Sequence, residues 1–215
     1  MFLFTFVSLS NIFSQDSLNV LHTDKISETK LPALKINGNY FTPDEGVSIS
    51  AAKASIIAEL TKEGIKGDIS SVIKINEITT KESWQNMGVQ LYRVILDYAW
   101  LNGIAIIKNK KIITIFKGMP TETVFLADLD NDSIYEIYTN YFLGSGIISK
   151  EIGGYNISLN ENYCLSMRMD KDLNLFIANG ILMAEVRPYN KLDEIPIIKK
   201  VTLRTIDNKY KLIIE

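Results

Sequence analysis

Four carboxylates fall within nine residues in the run Asp128-Leu-Asp130-Asn-Asp132-Ser-Ile-Tyr-Glu136. When such a segment curls, side chains at positions one, three and five point into one small cavity. The carbonyl of Ile134 at position seven and the carboxylate of Glu136 at position nine can complete an oxygen shell around a hard cation. Carboxylates this close repel one another unless a cation neutralises them, and that repulsion is the physical case for calcium. The run is not an EF-hand loop, because position twelve is Thr139, where a bidentate Glu is needed. The competing reading is an acidic surface turn without metal, since Asp and Asn favour turns unaided. A bound ion here is expected to be structural rather than catalytic, because no acid–base partner accompanies the loop.

Other chemistries are narrowed by counting. His22 is the single histidine, and it lies in a polar N-terminal stretch. A Ser–His–Asp triad, a Cys–His pair and a histidine zinc site all need an imidazole held by rigid surroundings. Cys164 is also alone, so no intrachain disulfide or CxxC motif exists. The alternation in Tyr163-Cys-Leu-Ser-Met167 reads as a strand, and Cys164 is expected to be a small buried apolar residue. Gly144-Ser-Gly146 lacks the third glycine of a dinucleotide fingerprint and the Gly-Lys-Ser/Thr ending of a phosphate loop, so it reads as a turn. One enzymatic alternative survives: a histidine-free hydrolase using a carboxylate pair drawn from Asp97, Asp128, Asp130 and Glu136 and acting on glycans. Tyr135, Tyr138, Tyr141 and Tyr155, with Trp84 and Trp100, could stack on sugars, although core packing is the commoner fate of such residues.

The loop with its strand-like flanks resembles the DxDxDG calcium loop of FG-GAP or VCBS-type repeats. These occur in integrin-like propellers and in many bacterial secreted proteins. The longer stretch Leu126-Ala-Asp-Leu-Asp-Asn-Asp-Ser-Ile-Tyr-Glu-Ile-Tyr, followed by Leu143-Gly-Ser-Gly-Ile147, is similar to bacterial exported proteins that carry one such loop and then a GSG turn. The resemblance implies a calcium ligand set of Asp128, Asp130, Asp132, Ile134 and Glu136, and no activity. It covers about thirty residues and supplies no second loop, so it transfers ligands and not a propeller architecture. The family pattern has Gly at position six, where the chain turns with positive φ. Here Ser133 stands there, at a strain of roughly 1–2 kcal/mol.

The elements that must hold the loop follow from periodicity. Ser48-Ile-Ser50 caps the run Ala51, Ala52, Ala54, Ile56, Ile57, Ala58, Leu60, with Gly64 behind it, which predicts one helix near Ala51–Glu63. Ile56, Ile57 and Leu60 share one side at helical spacing and are expected to face a sheet. From there β-branched and aromatic residues dominate. Strands are expected at Ser71–Ile78, Val89–Tyr98, Gly103–Lys108, Ile112–Lys117, Val124–Ala127, Ile134–Tyr141, Leu173–Ala178, Ile181–Arg187, Val201–Ile206 and Lys209–Ile214. Asn109-Lys110 reads as a hairpin joint, and Asn179-Gly180 and Asp207-Asn208 are two-residue joints whose residues tolerate the positive φ of a type I′ turn. The fold class is therefore α+β, mainly β: an antiparallel meander or sandwich of about ten strands with one N-terminal helix packed on it.

The chain has 215 residues, 47% apolar and 22% charged, the composition of a globular protein with a packable core. With 23 basic and 25 acidic side chains the net charge is −2, so no broad field favours nucleic acid. Met1 to Gln15 carries no charge and includes Phe2, Phe4, Phe6 and Phe13, which suits the apolar middle of a secretory signal. It is too short to span a bilayer as a helix. Ser8-x-Ser10 supplies small residues for a signal peptidase, and the polar boundary follows by Asp16, although Lys and Arg are missing after Met1. The expected organisation is a signal peptide over 1–15, a flexible arm over 16–35 and a single β-rich domain over 36–215. The functional expectation is an exported, periplasmic or secreted, non-enzymatic binding or envelope-associated protein with one structural calcium loop. Its partner would be a protein or a glycan, with no nucleic acid and no stable membrane span after signal cleavage.

Overall fold

The computed structural model describes residues 31–37, 40–65, 69, 73–97, 102–118, 123–144, 148–191 and 193–215. The expected signal segment, His22, residues 16–30 of the expected arm, Trp100 and Ser145-Gly146 lie outside the described residues. Among those described, thirteen strands form three antiparallel sheets accompanied by two helices. The mainly-β class with few helices therefore holds, with more strands than the ten expected and a second helix.

Helix α1 spans Ile49–Lys62, and the Ser48 side chain accepts from the Ala51 amide at its N-terminus, as the hydroxyl cap predicts. The unexpected helix, α2 (Lys81–Met87), is short. Its capping box runs between Thr80 and Ser83, and Gly88 ends it in the left-handed region at φ 63°. Ser in place of the usual Glu or Gln at the third position hides that start signal in the sequence.

The first sheet is a meander of β2 (Lys74–Glu77), β3 (Val89–Ile95), β4 (Gly103–Lys108) and β5 (Lys111–Lys117). The central sheet runs β1 (Leu34–Lys35), β6 (Val124–Ala127), β7 (Glu136–Leu143), β8 (Ser149–Asn156), β9 (Glu161–Leu165). The last holds β10 (Lys171–Ala178), β11 (Ile181–Pro188), β12 (Ile197–Ile206) and β13 (Lys209–Ile214). The three expected hairpin joints form as anticipated, with both residues at positive φ: 50° and 63° at Asn109-Lys110, 51° and 73° at Asn179-Gly180, 55° and 60° at Asp207-Asn208.

The layers stack as α1, first sheet, central sheet, last sheet. Ala52, Ile56 and Leu60 of α1 pack with Ile73, Tyr92, Val94, Ala105 and Ile107, and Ile57 joins them partly buried, which bears out the expected helix face. The opposite face of the first sheet presents Val89, Leu91, Ile104 and Ile106 to Leu126, Ile137 and Tyr155 of the central sheet. The other face of the central sheet buries Phe125, Tyr138, Ile152 and Tyr163 against Leu173, Leu175, Leu182, Ala184 and Val201 of the last sheet. A sheet covered on both sides needs apolar residues at every position. Accordingly Val124-Phe-Leu-Ala127 is buried throughout, with no polar face.

Two devices allow this double packing. In β8, a Cβ added at Gly154 would stand 2.6 Å from Tyr138 Cε1, and one at Gly153 would stand 3.1 Å from Tyr141 Cε1. The glycines thus leave room for tyrosine rings from β7 to lie across the strand. Asn140 of β7 bonds the main chain of β10, donating to the Leu173 carbonyl and accepting from the Leu175 amide, so polar backbone at that sheet's edge is satisfied on burial.

The expectation for Cys164 is overturned. It is exposed, and its thiol lies 3.0 Å from the Tyr141 hydroxyl. Alternation along β9 turns Tyr163 into the core and Cys164 to the face that this edge strand leaves uncovered.

Candidate metal centre

The acidic run forms the turn between β6 and β7, with Ala127 opposite Glu136 as the last ladder pair. Residues 128–135 therefore leave and return at one end of the central sheet, and the doubly covered strands fix both ends of the loop. Glu136 is the first residue of β7, later than the strand start expected at Ile134.

The loop closes through carboxylate bonds to its own backbone. Asp128 Oδ2 accepts from the Ser133 amide at 3.1 Å, Asp130 Oδ1 from the Asp132 amide at 3.2 Å, and Asp132 Oδ1 from the Ile134 amide at 2.7 Å. Glu136 Oε2 accepts from the Leu129 amide at 2.8 Å. These short-range bonds curl the chain inward, with Asn131 at φ 63° and Ser133 at φ 69°. Position six is thus left-handed, as the pattern requires. Ser133→Gly removes a Cβ from that conformation and is expected to stabilise the protein by up to about 1 kcal/mol. It is also expected to tighten cation binding, measured by calorimetric titration against wild type.

One ligand atom from each of Asp128, Asp130, Asp132 and Glu136 lies within 4.8 Å of the others, so the four form a cluster that could hold a metal ion. Asp128 is 0% exposed and Glu136 1%. Asp128 Oδ1 is buried with no hydrogen-bond partner, and so is Asn131 Oδ1. A buried carboxylate oxygen left unbonded forfeits the hydration it had in the unfolded chain, and a coordinated cation restores that loss.

Electrostatics act in the same direction. Burial pushes the Asp128 carboxyl above the usual range, with the charges of Asp130 and Asp132 adding to the shift. Glu136 is pushed up to about 9, first by burial and further by Asp130, against the lowering bonds from Leu129 and Tyr138. Without a cation the cluster therefore resists full ionisation at neutral pH. A divalent cation reverses that resistance by supplying the missing opposite charge.

Two residues that sequence reading did not single out for the site complete it. Asn156, at the end of β8, donates from Nδ2 to Asp130 Oδ2 at 2.8 Å and to Glu136 Oε1 at 3.4 Å. Tyr138 is buried in β7 and donates to Glu136 Oε2 at 3.1 Å. Tyr138 lies two residues after Glu136, the spacing that puts both on one face of a strand. Asn156 comes from another strand and leaves no local signal.

Of the hydrolase candidates, Asp128, Asp130 and Glu136 fall in the one cluster with Asp132. Asp97 is exposed beyond the end of β3 and is not among the four converging carboxylates. Asp128 and Glu136 are buried within the closed loop. A described cleft of about 480 Å³ is lined by Trp84, Gln90, Asn109 and Lys110 with a single carboxylate, Glu45. Elsewhere buried Glu77 is satisfied by Thr42, Thr79 and Gln90, all within 3.1 Å. The tyrosines raised as a sugar platform are core residues: Tyr135, Tyr138, Tyr141 and Tyr155 are all buried.

No protein-family model matches the chain, and neither a curated protein nor a solved structure is significantly similar to it. Its class therefore rests on its own architecture: a mainly-β protein of three antiparallel sheets with few helices. Within that class it is distinguished by an acidic cluster of Asp128, Asp130, Asp132 and Glu136 that could hold a metal ion. Among the described residues, no helix is long and apolar enough to cross a membrane.

Proposed function

We propose that this is an exported, non-enzymatic binding or envelope-associated protein whose single calcium loop, of the FG-GAP/VCBS-like kind, pins the end of its central sheet. The observation that carries the metal part of this reading is the Asp128 Oδ1 atom, buried without a hydrogen-bond partner on one of the four clustered carboxylates. The Ile134 carbonyl is the remaining ligand of the proposed shell. Calcium suits the all-oxygen donor set, because it accepts many oxygen ligands in flexible geometry. The role is structural, since the carboxylates converge on one point in a closed turn and do not flank an open cleft, the arrangement glycoside hydrolysis requires. A partner protein or glycan would be engaged by surfaces that the loop holds rigid. The test of the metal is calorimetric titration with calcium, in which one site per chain supports the reading and a flat trace overturns it.

Export rests on the charge-free apolar start, Met1 to Gln15, and on the polar boundary at Asp16. Intact-mass analysis of protein recovered from the periplasm or medium is expected to show a chain lacking about the first fifteen residues. A folded cytosolic product that retains Met1 would remove the export proposal together with its calcium-rich compartment.

A further inference from the structure

The cleft of about 480 Å³ lies at one end of the first sheet, where separate stretches of chain converge. Glu45 and Val47 come from the stretch before α1, Trp84 from α2, Gln90 from the start of β3, and Asn109-Lys110 from the β4–β5 hairpin joint. Its volume falls within the range of small-molecule sites, roughly 300–1,000 Å³. None of its lining residues belongs to the acidic loop.

The floor of the cleft is fixed by the protein's own bonds. Gln90 shares the α1-facing side of β3 with Tyr92 and Val94, and it is 2% exposed. Its side-chain oxygen accepts from the Val47 N–H at 2.7 Å, and its amide nitrogen donates to Glu77 at 3.1 Å and to the Tyr92 hydroxyl at 3.0 Å. Tyr92 in turn donates to the Val47 carbonyl at 3.1 Å, so both main-chain groups of Val47 are held. A Cβ at Gly46 would stand 2.6 Å from Gln90 Nε2, and glycine lets this wall lie close to the amide. Gln90 is thereby used up inside the protein, which leaves Trp84, Glu45, Asn109 and Lys110 to meet a ligand.

Among the described residues, the side chains of Glu45, Asn109 and Lys110 make no hydrogen bond or ion pair, and all three are exposed. They offer an anionic acceptor, an amide and a cationic donor beside a half-buried indole. One carboxylate and one ammonium cancel, so the cleft favours neither anions nor cations. A zwitterion gains little, because charges this exposed pair weakly in water. The remaining chemistry suits an uncharged ligand whose hydroxyls both donate and accept, and which has an apolar face for the indole. A pyranose has both, since its weakly positive ring C–H groups meet the electron-rich face of an indole while its hydroxyls reach polar neighbours. Trp84 is also the one described residue, of the aromatics considered for sugar stacking, that core packing does not bury.

We propose that this cleft binds a pyranose unit of a glycan, with Trp84 as the stacking group and Glu45, Asn109 and Lys110 as hydroxyl partners. The proposal rests on the reading of the chain as a non-enzymatic binding protein and names the class of its ligand. A site whose ligand-facing polar groups are all exposed binds weakly, with a Kd on the order of 1 mM.

Saturation-transfer NMR on the full chain tests this, using trisaccharides of glucose, galactose, mannose and N-acetylglucosamine, with free leucine as the zwitterion, each at millimolar concentration. Transfer is expected to the ring protons of at least one sugar and not to leucine. Trp84→Ala is expected to abolish it. Glu45→Gln and Lys110→Gly alter exposed side chains, the second at φ 63° where glycine is at ease, and each is expected to weaken binding by about two- to tenfold. No transfer to any of the sugars, equal transfer to leucine, or transfer undiminished in Trp84→Ala or in both exposed variants would each overturn the proposal. Cleavage of a bound trisaccharide would instead overturn the non-enzymatic reading while supporting the cleft, and the calcium loop is tested separately by its own titration.

Discussion

Calcium at 1–2 mM is expected to raise the melting temperature of this protein by roughly 3–12 °C, and chelator to abolish the rise. If the ion binds only the folded chain with a Kd of about 10–100 μM, the gain RT ln(1 + [L]/Kd) is about 1.5–3 kcal/mol. The gain has a pH dependence whose sign follows from Glu136. Burial raises its folded-state pKa to about 9, well above that of an ordinary glutamate, so its neutral form favours folding. That contribution is fully present below the unfolded value and is lost progressively as pH rises toward the folded one. The calcium-free protein is therefore expected to lose stability between about pH 5 and pH 8, and the calcium-dependent rise to be larger at pH 8. Asp130→Ala deletes a ligand and should eliminate the rise. It also loses the bond from Asn156, worth about 1 kcal/mol, while relieving repulsion on Glu136. Its calcium-free melt is thus expected to stay close to that of wild type. Identical wild-type melts in calcium and in chelator would reduce residues 128–136 to an acidic turn.

Leu60→Asp is expected to cost on the order of 3–5 kcal/mol in denaturant unfolding. Leu60 is fully buried in the layer between α1 and the first sheet, among Ile56, Ile73, Tyr92 and Val94. A carboxylate placed there must be desolvated without a counter-ion or must open the interface to reach water. Leu60→Ala leaves the layer dry and is expected to cost about 2–5 kcal/mol by cavity formation alone. A melt within a degree of wild type for Leu60→Asp would show that this helix face is not packed.

What the sequence determined by itself is what short-range physics decides. A helix capped at Ser48 follows from a hydroxyl before an alanine-rich run. Two hairpin joints, Asn179-Gly180 and Asp207-Asn208, follow from residues that accept positive φ. The convergence of Asp128, Asp130, Asp132 and Glu136 was legible for the same reason, because all four ligands lie on one short loop.

Only the tertiary structure decided how the strands group. Three sheets stacked face to face bury the central one on both sides, and period-two alternation signals a single covered face. Strand β8 runs through Gly153-Gly154, and the rings of Tyr138 and Tyr141 fill the space those glycines leave. Cys164 faces outward because β9 is an edge strand, a fact about neighbours that no alternation pattern carries. Asn156 reaches the acidic cluster across twenty residues of chain from Glu136, and partners that distant meet only when the sheet brings their strands side by side.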